Sequence, residues 1–226
     1  MANILITGAN RGIGLELARQ YAADGWRVHA CSRDPDKVDA LAAVAGDVSL
    51  HRLDVEDLGT IDALAADLGG AAIDVLVNNA GVYGPVQSFG KVDLSAFDSV
   101  MAINALGPLA VTERLIEHVA RGERKLVVCI SSLWGSMGAN TWGGHYLYGP
   151  SKAALNMIVK SASIDLKDRG IAVVAMSPGW VRTDMGGEGA DLSVEESAAS
   201  MRGVIAGLGM ADTGRFMSHD GRDAPW

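Results

Sequence analysis

The stretch Asn3-Ile4-Leu5-Ile6-Thr7-Gly8-Ala9-Asn10-Arg11-Gly12-Ile13-Gly14 runs from a short aliphatic segment straight into a glycine-rich turn. It then continues into a pattern with Ile13, Leu17 and Tyr21 at helical spacing. A strand, a glycine turn and a helix start in immediate succession turn backbone N–H groups and the positive end of a helix dipole toward an anion, an arrangement suited to a pyrophosphate. Side chains at Gly8, Gly12 or Gly14 would block that approach, and Asn10, Arg11 and Ile13 complete the turn. The spacing, Gly-x-x-x-Gly-x-Gly, differs from the commoner Gly-x-Gly-x-x-Gly dinucleotide fingerprint. On its own it also reads as a tight turn beneath a helix.

Outward from this stretch, short aliphatic runs alternate with longer helical patterns, the signature of a parallel sheet covered by helices on both faces. Strands are predicted at Asn3 to Thr7, Arg27 to Ser32, Ser49 to Leu53, Val75 to Asn78, Lys125 to Ser131, Ile171 to Ser177 and Gly214 to Met217. The first helix spans Gly12 to Ala23 and stops at Asp24-Gly25, a pair suited to a left-handed cap. Asp34-Pro35 reads as an N-cap followed by proline at the first helical position. Ser193-Val194-Glu195-Glu196 reads as a capping box, so its acids belong to local helix chemistry.

Composition narrows the function classes. Of 226 residues, 28 are glycine, about 12 per cent where roughly 7 per cent is ordinary. No repeat or low-complexity linker divides the chain, so residues 1–226 read as one domain, with the glycine turn pointing to a dinucleotide. A formal charge of −8 without a basic stripe argues against nucleic-acid binding. The longest apolar runs, Leu126 to Ile130 and Ile171 to Met176, are far below the roughly 18 residues a bilayer span needs. Membrane attachment is not expected. The amino terminus lacks the basic and hydrophobic regions of a signal peptide, which points to the cytoplasm. Cys31 and Cys129 lie within apolar strands, where buried reduced thiols are expected. The histidines form no His-x-x-x-His pair, so no metal is expected.

The second strand ends at Cys31-Ser32-Arg33, where an acidic side chain would read the adenosine ribose hydroxyls of NAD. Arg33 stands there instead. With Arg11 it suits a 2′-phosphate, because a guanidinium pairs well with phosphate oxygens. NADP(H) is therefore preferred and NAD(H) remains possible; Asp34 and Asp36 are the nearby acids that argue for the latter.

Thr7 to Gly14, Asp54-Val55, Asn78-Asn79-Ala80-Gly81, Ser131-Ser132, Tyr148-Gly149-Pro150-Ser151-Lys152 and Pro178-Gly179 stand in the order and locations of the short-chain dehydrogenase/reductases. The resemblance covers essentially the whole chain. Within that family, Tyr146 to Asn156, Ser177 to Gly187 and the closing Pro225-Trp226 resemble the C-factor-like and Sniffer-like carbonyl reductases. The implied fold is α/β, a Rossmann-type doubly wound parallel seven-stranded sheet with helices on both faces. The family often pairs through the helices holding Asn104 and Lys152, so a homodimer or homotetramer is possible.

Physical chemistry supports the implied roles. Tyr148 and Lys152 are four apart and so share one helix face. Tyr146 would instead face Pro150, which carries no charge, and reads as a pocket wall or core residue. Bringing a tyrosine from pKa 10 toward 7 takes about 4 kcal/mol. One ammonium at about 5 Å supplies about 3 kcal/mol at an effective dielectric of about 20. Lys152 is thus expected to depress Tyr148, making it the acid for reduction and the base for oxidation. Ser132 would bond the same substrate oxygen, with Ser131 and Ser136 as alternatives; the family favours the second serine of the pair.

The resemblance further implies that Lys152 holds the nicotinamide ribose and that Asn104 joins the lysine through a water relay. Asn104 also reads as a kinking or backbone-bonding asparagine. Asp54 would read the adenine amino group with Val55 on the ring, and Asn79, Ala80 and Gly81 would lie beside the riboses. Asn78 suits a strand-linking role. Pro178, Gly179, Val181 and Thr183 would anchor the carboxamide. Two departures matter: the step from Ser132 to Tyr148 is longer than usual, and Pro150 forces Tyr148 to the very start of its helix.

Trp134, Trp142, His145, Tyr146, Trp180 and Met185 flank these elements, and five of them, Trp134, Trp142, Tyr146, Trp180 and Met185, form the expected apolar pocket. Substrate loops are expected near residues 133–147 and 184–192, with glycines making a flexible mouth and Asp184 to Asp191 a mobile flap. The expected activity is NADPH-dependent reduction of a hydrophobic ketone, aldehyde or quinone, a small-molecule partner. The alternatives are an NAD-linked alcohol or steroid dehydrogenase and a non-catalytic dinucleotide-binding signalling protein, though the latter can dispense with the tyrosine and lysine present here.

Overall fold

Seven strands form one parallel sheet in the computed structural model, which describes residues 1–34 and 38–226. They are β1 (Asn3–Ile6), β2 (Arg27–Ser32), β3 (Val48–Arg52), β4 (Val75–Asn78), β5 (Leu126–Ile130), β6 (Ala172–Ser177) and β7 (Phe216–Ser218). Their order is β3-β2-β1-β4-β5-β6-β7, and every neighbouring pair is parallel. All seven predicted strands are present, with ends moved by a residue or two where backbone pairing, rather than side-chain pattern, decides the boundary.

The helices are α1 (Gly12–Ala23), α2 (Asp39–Ala42), α3 (Leu58–Leu68), α4 (Phe97–Met101), α5 (Gly107–Arg121), α6 (Tyr148–Asp165) and α7 (Val194–Gly207). Alternation along β1 shows why the strands read as continuous apolar runs. Ile4 and Ile6 enter a core completed by Leu17 of α1 and Met201 of α7, whereas Leu5 faces the opposite core with Leu115 of α5 and Leu155 of α6. A strand covered on both faces has no polar side to show. Asp24 caps α1 and Gly25 follows at φ 79°, the left-handed stop expected there. The capping box at Ser193 and Glu196 opens α7 as expected. Both cysteines are buried and free. Pro35 of the expected Asp34-Pro35 helix start, and Asp36, lie outside the described residues.

α4 and α5 are joined by a π-helical turn, Ala102–Leu106, giving a helical stretch from Leu94 to Arg121. By length and mean hydropathy this stretch is apolar enough to cross a bilayer, which single runs of aliphatic residues did not suggest. Here its apolar side packs on α3 and α6 while Glu113, Arg114 and Glu117 mark its outer face. Because β1 and β4 are sheet neighbours whose connections leave in opposite directions, their carboxyl ends open a crevice, the place where open α/β sheets bind ligands.

Candidate active site

The crevice is built first by backbone. Arg11 is the extended N-cap of α1, so Gly12 begins the helix and its first N–H groups have no partner within it. A Cβ at Gly14 would lie 2.3 Å from the Gly8 carbonyl oxygen and 2.5 Å from Asn79 Nδ2, so only glycine fits. Asn79 Nδ2 donates to the carbonyls of Thr7 at 2.9 Å and Gly8 at 3.1 Å. The Thr7 hydroxyl in turn accepts from the N–H groups of Asn79 and Ala80. These bonds lock the β1 and β4 turns into one rigid floor. Asn78 turns away, donating to Thr112 Oγ1 and Cys129 Sγ, which fits its strand-linking role.

On the rim, Arg33 is exposed just beyond β2. Arg11 is exposed as well, but its guanidinium pairs with Asp184 at 2.6 Å. Asp54 and Val55 follow β3, and Val55 packs against Gly107. Beyond β6, Gly179 takes φ 84° and Val181 is buried, bridged to Leu192. Thr183 lies beside Gly12, so the segment after β6 reaches over the glycine turn. The expected flap is tied down by Arg11 to Asp184, by Trp180 Nε1 donating to the Gly186 carbonyl at 2.9 Å, and by Arg182 donating to the Ala190 and Asp191 carbonyls.

Tyr148 is the first residue of α6, as Pro150 requires, and both Tyr148 and Lys152 are buried. Ser132 hydrogen-bonds to Tyr148 and accepts from the Trp134 N–H at 3.2 Å. The other two serines are occupied elsewhere. Ser131 donates to Asn156 Oδ1 at 2.6 Å, and Ser136 donates to the Pro225 carbonyl. The Lys152 ammonium lies 5.6 Å from the Tyr148 ring centre and donates to the Ile130 carbonyl at 2.8 Å.

The charge balance differs from the expectation that Lys152 depresses Tyr148. Burial pushes Tyr148 up to about 12, the Ser132 hydrogen bond pulls it back only in part, and nearby Tyr83 adds to the rise. Burial likewise brings Lys152 down to about 8. Two groups taken out of water each favour their neutral form, and that desolvation outweighs their mutual attraction. The hydroxyl is therefore firmly protonated at neutral pH.

Asn104 sits fully buried in the π-turn. Its Oδ1 accepts from the Val82 N–H at 2.8 Å, and its Nδ2 donates to the Val82 carbonyl and to Ser151 Oγ. These bonds tie the segment after β4 to α6 through Asn104. Gly81 lies between it and Lys152, where an added Cβ would be 3.2 Å from Asn104 Oδ1 and 3.6 Å from Lys152 Nζ.

Beside Tyr148 stands an aromatic wall that the sequence disclosed only in part. Trp134 stacks on His145 with ring centres 3.6 Å apart and meets Tyr148 edge-on at 5.9 Å. Tyr83 lies 5.4 Å from Tyr148 and shares a 2.7 Å hydrogen bond with His145 Nδ1. Tyr83 and Gln87 follow the Asn78 to Gly81 motif and carry no pattern of their own, so nothing marked them in the sequence.

A cleft of about 410 Å³ opens outward from Trp134 and His145, lined also by Trp142, Tyr146 and by Gly149, Pro150 and Ala153 of α6, with Ser132 and Tyr148 outside its lining. Trp180 and Met185 do not line it: they are half exposed on the segment after β6, where the Trp180 indole is held by Gly186. The glycines also divide. Gly135 is not part of a loose mouth, since a Cβ there would meet the Lys152 backbone at 2.7 Å; it lets the Ser132 segment press against α6. Gly143, Gly144 and, on the segment after β6, Gly187 are open, left-handed positions.

A doubly wound sheet with a glycine turn at the switch point and a buried serine, tyrosine and lysine beside it defines a dinucleotide-linked oxidoreductase. The chain belongs to the short-chain dehydrogenase family, whose model matches residues 2–191. It is an NAD(P)-dependent oxidoreductase. Among curated relatives, the C-signal of Myxococcus xanthus is 44% identical over 164 residues, covering 73% of this chain and 99% of the relative. Among solved structures, the NADPH-bound carbonyl reductase from chicken fatty liver superposes with a TM-score of 0.93 at 31% identity, covering 100% of this chain and 99% of that one. The carbonyl reductase Sniffer of D. melanogaster gives 0.92 at 30% identity, with 100% of both chains covered.

Proposed function

We propose that the chain reduces a hydrophobic ketone, aldehyde or quinone with NADPH, and catalyses the reverse alcohol oxidation. The observation that carries this reading is the convergence of Ser132, Tyr148 and Lys152 at the end of the sheet crevice, against an aromatic wall. The crevice fits a dinucleotide because α1 opens on Gly12, at φ 53° and with no side chain over the uncapped first N–H groups of the helix, while Gly14 lets the Gly8 turn pack close beneath them. The bare N-terminus of α1 would hold the pyrophosphate, Asp54 and Val55 the adenine, Asn79 to Gly81 and Lys152 the riboses, and Pro178 to Thr183 the carboxamide. When bound, the nicotinamide supplies the hydride.

The protein's own side chains then handle the oxygen. Tyr148, held protonated by burial, donates its proton to the carbonyl oxygen. Ser132 bonds the same oxygen and, through its bond to Tyr148, orients the donor. Lys152, a cation below about pH 8, stabilises the phenolate left behind. The wall of Trp134, His145 and Tyr83 keeps water from the exchange and favours a flat apolar substrate, with the cleft past Trp142 and Tyr146 receiving its bulk. Asn104 keeps the Val82 backbone and α6 in register.

Preference for NADPH is supported by Arg33 at the end of β2 and by the likeness to an NADPH-bound carbonyl reductase. Arg11 would exchange Asp184 for the 2′-phosphate. That costs little, since exposed ion pairs are worth about 1 kcal/mol or less. A panel of aromatic ketones, aldehydes and quinones, followed by loss of NADPH absorbance and by alcohol formed, tests the reading. One alcohol per NADPH is expected, with Arg33→Asp shifting the NADPH to NADH preference about 10- to 100-fold toward NADH. Unchanged preference would contradict the phosphate assignment, and no turnover on any carbonyl would contradict the activity.

A further inference from the structure

We infer that Gln87 is a positioning residue for catalysis, acting as the N-terminal cap of α6 and fixing Tyr148 from a separate part of the chain. This inference rests on the reading of Tyr148 as proton donor. Leu147, the residue in the N-cap position, is apolar and makes no side-chain cap. The first N–H groups of a helix still require acceptors, and here they are buried. Gln87 Oε1 accepts from the Leu147 N–H at 3.0 Å and from the Tyr148 N–H at 2.8 Å. Gly149 donates to the His145 carbonyl, and Pro150 has no N–H to satisfy. The helix start is fully accounted for, and one side chain carries the half of it that includes the catalytic residue.

The other end of the same amide makes the arrangement more than a cap. Gln87 Nε2 donates to the Tyr83 carbonyl at 2.6 Å, and Gln87 itself is only 5% exposed. Tyr83 carries the ring that touches Tyr148 and the hydroxyl that bonds His145, which in turn stacks on Trp134. One buried amide therefore sets two things at once: the height of the Tyr148 backbone and the position of the wall across from it. A displacement of about 1 Å at a reacting group costs up to about 100-fold in rate, so the bond is placed where small errors matter most.

Two variants separate capping from space filling. Gln87→Met keeps the volume and loses every hydrogen bond. Gln87→Glu, in the neutral acid form that burial favours, keeps one oxygen accepting from the two N–H groups and an O–H to donate to the Tyr83 carbonyl, but would be the worse choice if the site only needed filling. The expected result is a kcat about 10- to 100-fold lower for Gln87→Met, most of it recovered in Gln87→Glu, with the NADPH Kd within about twofold of the parent in both. Amide hydrogen exchange at Leu147 and Tyr148 should accelerate in Gln87→Met and stay slow in Gln87→Glu.

A Gln87→Met enzyme with parental kcat, or one more active than Gln87→Glu, would overturn the inference, even if exchange accelerates. Should Gln87→Met fail to fold, Gln87→Asn replaces it: that amide is a methylene too short to reach both N–H groups, and Gln87→Glu must still exceed it in kcat. Tyr148→Phe run beside these variants keeps the two readings apart. Parental activity in Tyr148→Phe sinks the proton-donor reading, whereas an inactive Tyr148→Phe with an unimpaired Gln87→Met sinks only this one.

Discussion

The two sides of the crevice are built by different means. On the nucleotide side, Thr7 and Asn79 tie the turns after β1 and β4 together, and what these turns leave facing the crevice is backbone: Gly8 and Gly12 carry no side chain, and a Cβ at Gly14 would strike the Gly8 carbonyl beneath. On the substrate side, the contacts join distant parts of the chain through side chains: Tyr83 to His145, Gln87 to Tyr148, Ser136 to the Pro225 carbonyl. A ligand read by backbone demands a fixed local spelling. A pocket read by side chains can be assembled in many ways, so its spelling is free.

The sharpest way to break this contrast is at Gly14. Gly14→Ala should weaken NADPH binding about 100-fold, roughly 2.7 kcal/mol, and lower Tm, because neither the Gly8 carbonyl nor the Asn79 amide can retreat from a new Cβ. Fluorescence titration and thermal melting check both. Binding within about twofold of the parent would show that the turn is looser than its geometry indicates.

Next comes the charge balance at the reacting end. Because burial holds Tyr148 near 12 and Lys152 near 8, carbonyl reduction should be flat up to about pH 8. Above that, kcat should fall as Lys152 loses its proton, approaching about tenfold per pH unit if only the cationic form works. Tyr148 stays protonated throughout this range and should not limit it. A profile flat to about pH 10 would place the lysine near its ordinary value.

The smallest effect belongs to the outer pocket. Trp142 lines the cleft yet is 58% exposed. Trp142→Ala should raise KM for a bulky aromatic carbonyl about three- to tenfold while leaving kcat nearly unchanged, the pattern of lost uniform binding. An equal loss in kcat would move the substrate's reacting end closer to Trp142.

How much could be read in advance follows the same division. The strands, the doubly wound order of the sheet and the glycine turn were legible because buried strands and phosphate-binding turns each permit few residue types. The spacing of Tyr148 and Lys152 was legible because four residues make one helical turn. The direction of the Tyr148 shift was not: pairwise attraction is visible in a sequence, but the loss of water that outweighs it depends on everything packed around the pair. Trp180 and Met185 stand apart from the cleft along Trp142 because the segment after β6 folds back over the glycine turn, a placement that no local pattern encodes. Tyr83 and Gln87 were invisible for the opposite reason, being distant in sequence from the helix they serve. Gly135 looked like loop flexibility and is close packing.

The central claim, that Tyr148 gives the proton which completes reduction, is tested most directly by Tyr148→Phe assayed with NADPH and the best carbonyl of the panel. The exchange removes one oxygen from a buried site and leaves the ring among Tyr83 and Trp134. A loss of kcat of about 100- to 10,000-fold, with NADPH affinity and Tm near parental values, is the predicted result; turnover within about threefold of the parent would contradict it.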